Sequence, residues 1–71
     1  MNIAAMFQYL DELRESGATN MFGAAPYVVR EFGLSKREAR DVLLAWIQTY
    51  KPGVSPYVRA AGVQQQMLEQ R

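Results

Sequence analysis

Four basic side chains crowd one short stretch, Arg30, Lys36, Arg37 and Arg40 in "VVREFGLSKREARDV". Cations at this density can hold phosphates, and arginine or glutamine can pair with guanine and adenine edges. Gln48, two turns beyond Arg40, adds the second chemistry, and Lys51 a further cation. The acidic residues offer less. Asp11 and Glu15 stand four apart and share a helix face, as a carboxylate pair would, but Arg14 lies beside them. Their face is the polar side of an amphipathic segment, with no apolar pocket to raise a pKa. Gln8, Asp11, Glu12 and Glu15 are therefore expected to face water. The sequence has no Cys and no His. That removes disulfides, Cys/His zinc sites, thiol nucleophiles and the usual general base. The loop "NMFGAAP" lacks the Gly-Lys-Ser/Thr ending of a phosphate cradle. We expect no catalytic set, no metal site and no cofactor: the chain reads as a non-enzyme.

Composition sets the scale. Seventy-one residues make at most one domain. A chain of this size buries only about 60 % of its unfolded surface, so stability should be modest unless a partner adds to it. An apolar share of 49 % is enough for a core. The net charge is +1, from eight basic and seven acidic residues, so any nucleic-acid contact must come from local clustering. No apolar run approaches the roughly 18 residues of a membrane span, and no basic stretch leads into an apolar one as in a signal peptide. The absence of cysteine is compatible with a reducing cytoplasm.

The elements that would position these residues are helical. "NIAAMFQYLDELRESG" carries Ile3, Met6, Phe7, Leu10 and Leu13 at helical spacing, with Asn2 as a cap and Gly17 as a left-handed stop. In "ATNMFGAAP", Gly23 and Pro26 break the pattern, and Met21 and Phe22 are expected to fold over the core as a lid. A second helix, near 24–32, turns Val28, Val29 and Phe32 inward. A third, near 36–50, opens on Ser35 with Glu38 three residues on, the spacing of a capping box. Ala39, Val42, Leu43, Trp46, Ile47 and Tyr50 form its core stripe, and "KPG" ends it. From about 56 a weaker fourth helix begins, with Gly62 costing about 1 kcal/mol against alanine. Its expected extent is 56–61, followed by a tail. The fold class is all-α, a small three- to four-helix bundle. Residues 1–52 form the compact core, and 53–71 a C-terminal helix or tail that is weakly docked or completed by a partner. Phe32 and Leu34 join the expected core at the Gly33 corner.

That corner has the parts of a helix-turn-helix. Val28 and Phe32 precede Gly33, Leu34 follows, and small Ala39 lets the helices approach. Residues 28–42 resemble the helix-turn-helix pattern of bacterial and phage regulators, departing from it at Val29, where a small residue is usual. More broadly, "YLDELRESGATNMFGAAPYV" and "FGLSKREARDVLLAWIQTY", across residues 6–50, are similar to short proteins of tailed phages and prophages. That resemblance implies an accessory protein made in the cytoplasm of an infected bacterial host, and brings no catalytic residue or substrate.

Two functions remain open. In one, a phage-type transcription regulator contacts DNA through the helix starting at Lys36. Arg37, Arg40 and Gln48 would read or position, while Lys36, Arg30 and Lys51 would hold phosphates, with Arg59 joining if the fold brings it round. In the other, a helical adaptor or inhibitor binds a host or phage protein. Its surface would be an exposed apolar patch of Tyr9, Leu44 and Val63, extended by Tyr57, Met67 and Leu68 on the last helix. A homodimer fits either reading.

Overall fold

A computed structural model describes residues 2–69, with side-chain placement through Val63. The described residues form four α-helices and one short 3-10 turn: α1 Ile3–Ser16, the turn Met21–Gly23, α2 Ala25–Phe32, α3 Lys36–Thr49 and α4 Pro56–Glu69. The protein is all-α.

Local rules explain most boundaries. The Asn2 side chain accepts from the Ala5 amide at 3.0 Å and opens α1, and Gly17, at φ +68°, closes it. Gly33, at φ +67°, closes α2 by donating its amide to the Val29 carbonyl at 2.9 Å. Only glycine takes that conformation cheaply. At α3 the capping box is complete: the Glu38 amide donates to Ser35 Oγ and the Ser35 amide to Glu38 Oε1, both at 3.1 Å. Lys51-Pro52-Gly53-Val54 then turns the chain, with Gly53 at φ +82° and the Val54 amide donating to the Lys51 carbonyl.

The helices pack as two pairs. α4 lies chiefly along α1 and α2 chiefly against α3, with α1 also touching α3 and α2. One core joins them. It contains Ile3, Met6, Phe7, Leu10 and Leu13 of α1, Val28 of α2, and Ala39, Val42, Leu43 and Trp46 of α3, as the spacing predicts. Ala24, Ala60 and Val63 are also buried in it.

Some expectations are corrected. Phe32, Leu34 and Ile47 are half-buried rather than central: Phe32 is the last residue of α2, Leu34 lies in the corner between α2 and α3, and Ile47 flanks the buried stripe of α3. Met21 packs on the core, but Phe22 does not close over it: the ring is 80 % exposed, turned outward by a 3-10 turn that Asn20 caps. α4 runs well past residue 61, and Gly62 sits inside it. Its first half shares the core, so packing does not break at residue 52.

Candidate functional site

Every basic or amide residue assigned to DNA is exposed: Arg30, Lys36, Arg37, Arg40, Gln48 and Lys51. The crossing of α2 and α3 divides them into groups. Arg30 from the last turn of α2, Lys36 from the first turn of α3 and Arg40 one turn later line one open groove. Its volume is about 560 Å³, and Ala25, Pro26 and Val29 complete its lining. Among the described residues no acidic side chain lines it. Val29, the departure from the usual corner pattern, is half-buried and forms part of this lining. Arg37 and Gln48 lie outside the groove, on the solvent side of α3 with Asp41 and Leu44.

The groove's residues are held by short-range geometry. The Arg30 guanidinium stacks 5.1 Å from the Tyr27 ring centroid, which limits its rotamers while leaving its donors free to face outward. The Ser35–Glu38 box fixes the start of α3 and hence the direction of Lys36 and Arg40. Hydrogen bonding to Ser35, its backbone amide first and its side chain second, holds the Glu38 carboxyl below its ordinary range. Glu38 therefore stays ionised in its cap. It faces, with Asp41, a small depression on the other flank of α3 that Ile3, Phe7, Val42, Ala45 and Val63 also line. α3 thus shows cations toward α2 and carboxylates toward α1 and α4.

The protein-contact surface comes apart. Tyr9 is half-buried, its ring edge-on to Phe32 at 5.6 Å between centroids. Burial, then the Glu31 charge, push its hydroxyl above the usual tyrosine range, and Arg30 pulls the other way. Val63 is buried between α1 and α3 and cannot belong to an exposed patch. Leu44 and Tyr57 are exposed, at 47 % and 57 %. Tyr57 donates its hydroxyl to Gln8 Oε1 at 2.6 Å, so it is tethered to α1. The side chains of Met67 and Leu68 lie outside the described residues.

Two charged residues pair inside the fold, Arg59 buried and Asp11 half-buried. Arg59 is buried, and its Nη2 donates to both Asp11 oxygens, at 2.9 and 2.7 Å. Asp11 also accepts from Trp46 Nε1 at 2.8 Å. Arg59 is no phosphate ligand, and Asp11 is not a water-facing partner of Glu15. The only sequence hint was Trp46 on a core stripe, since a buried indole N–H needs an acceptor. No group of three or more acidic residues among the described ones is placed to hold a metal ion. No helix among them is long and apolar enough to cross a membrane.

Comparison of the chain with protein-family models, with curated proteins and with solved structures returned no match in any of the three.

Proposed function

We propose that this chain is a small non-enzymatic DNA-binding protein that uses α2–Gly33–α3 as a helix-turn-helix, with α3 as the helix entering the major groove. One observation carries the reading. Arg30, Lys36 and Arg40 converge from two helices on one groove, while Arg37 and Gln48 stay exposed on the same α3. This local field exceeds what a net charge of +1 implies, because three cations and, among the described residues, no acidic side chain line the groove. As the resemblance of residues 6–50 implies, the setting is that of a phage regulator in the cytoplasm of an infected host. The test is fluorescence anisotropy of a labelled mixed-sequence duplex at about 50 and 200 mM salt. Phosphate contacts make affinity fall steeply between those concentrations. Binding without salt dependence, or none at high micromolar protein, would overturn the reading.

The adaptor reading retains one supporting observation, the exposed Leu44 on the outer face of α3. Its partner would be a host or phage protein. Leu44→Asp is the discriminating change: it should abolish capture of such a protein while leaving the salt-dependent phosphate contacts in place.

A further inference from the structure

The groove and the outer row of α3 differ in what lies beside their charges. Arg37 and Gln48 project from a helix surface into solvent. Arg30, Lys36 and Arg40 instead rim an apolar strip of Ala25, Pro26 and Val29. Lys36 and Arg40 are four residues apart, about 6 Å along the helix axis, and Arg30 approaches from the facing helix. An occupant must therefore be anionic at several points along its length and apolar between them.

We propose that the α2–α3 groove holds one sugar–phosphate strand of the bound DNA. Arg30, Lys36 and Arg40 pair with phosphates, and deoxyribose rests on Ala25, Pro26 and Val29. Arg37 and Gln48 are then the groups left to face base edges. This assignment rests on the DNA-binding reading and refines it, because it moves Arg40 from base contact to backbone contact. A sugar–phosphate strand fits better than an acidic polypeptide for a reason of layout. Four of the chain's eight basic residues fall between Arg30 and Arg40. One of them, Arg37, lies outside the groove. An acidic segment filling the groove would leave Arg37 and Gln48 without a role, whereas a duplex reaches beyond the one strand.

The experiment measures the salt dependence of affinity for a labelled mixed-sequence duplex in wild type, Arg30→Ala, Lys36→Ala, Arg40→Ala and the triple variant, with helicity checked by circular dichroism. Each phosphate contact adds about 0.9 to the slope of log affinity against log salt. Each single variant should therefore lower the slope by about 0.9, and the triple variant by about three times that. A second variant, Pro26→Glu, places a carboxylate on the exposed floor in the first turn of α2, where an acid suits the helix dipole. It should stay folded and bind severalfold more weakly. Undiminished slopes in a protein that does bind DNA would overturn the groove assignment and leave the DNA reading standing on Arg37 and Lys51. No binding by wild type would remove both. Binding of labelled poly-glutamate that depends on Arg40, in a protein that ignores the duplex, would identify an acidic-polypeptide site and overturn the assignment.

Discussion

The α1–α4 pair and the α2–α3 pair use arginine in opposite ways. Arg59 of α4 is buried, forked onto Asp11, and stacked near Tyr50 and Phe7, with ring centroids 5.2 and 5.8 Å from its guanidinium carbon. Its Nη1 has no hydrogen-bond partner among the described residues. Arg30 and Arg40 of the other pair stand in solvent, with no carboxylate within salt-bridge distance among the described residues. A buried cation must be matched by charge and hydrogen bonds, or the fold loses more than the pair contributes. An exposed one costs the fold almost nothing, and its donors remain open to an outside anion. One side chain type thus closes the bundle at one end and, on our reading, opens it to a ligand at the other.

The largest expected effect breaks the closed end. Asp11→Ala leaves Arg59 buried without its counter-charge and Trp46 Nε1 without its acceptor. Such losses cost about 3–5 kcal/mol. With the Asp11 side chain still 27 % exposed, we expect about 3 kcal/mol, the low end of that range. In a domain this small that lowers the melting temperature by well over ten degrees, since 1 kcal/mol moves it about 4–8 °C. Adding Arg59→Met should recover much of the loss. A single Asp11→Ala that melts like wild type would show that the ion pair does not hold α4 down.

Next come two glycines that look alike in space and differ in backbone. An added Cβ meets nothing within 4 Å at either Gly33 or Gly62. Gly33 sits at φ +67°, in the left-handed region, while Gly62 has no positive φ. Gly33→Ala should therefore destabilise by about 1 kcal/mol or slightly more. Gly62→Ala, in the interior of α4, should stabilise by about 1 kcal/mol. Denaturant titration of both variants reads the two signs.

Smaller still is the pH effect of the cap. The Glu38 carboxyl is held below its ordinary range by Ser35, so its folded pKa lies under its unfolded one. The stabilisation is complete above the unfolded value and is lost as pH falls through the folded one. Wild type should therefore lose melting temperature in acid, below the usual carboxylate range, more steeply than Glu38→Gln. Equal acid slopes would mean that the box contributes nothing through its charge.

Much of the architecture was legible because it obeys short-range rules. The stripe Ile3–Met6–Phe7–Leu10–Leu13, the stops at Gly17 and Gly33 and the Ser35–Glu38 box each depend on residues within about one turn of each other. What depends on distant partners was not legible. Asp11 and Arg59 are 48 residues apart, and neither sits on an apolar period, so both read as surface charges. Val63 lies in a segment whose pattern is thin, and its burial depends on where α4 meets α1 and α3. Phe22 failed for another reason: a large apolar side chain predicts burial only on average, and the capped turn points this one outward. The candidate site was half legible. Its residue types announced anion chemistry, but the split of Arg30, Lys36 and Arg40 from Arg37 is set by the crossing of two helices, which no local pattern encodes.

The most direct test of the contrast between the two ends is the duplex affinity of Arg40→Ala at about 50 mM salt, measured alongside its melting curve. An exposed substitution of this kind should change stability by no more than about 0.5 kcal/mol. The account predicts an unchanged melt and clearly weaker binding. Wild-type affinity in a protein that melts normally would contradict it, because the open arginines would then do no more for binding than for folding.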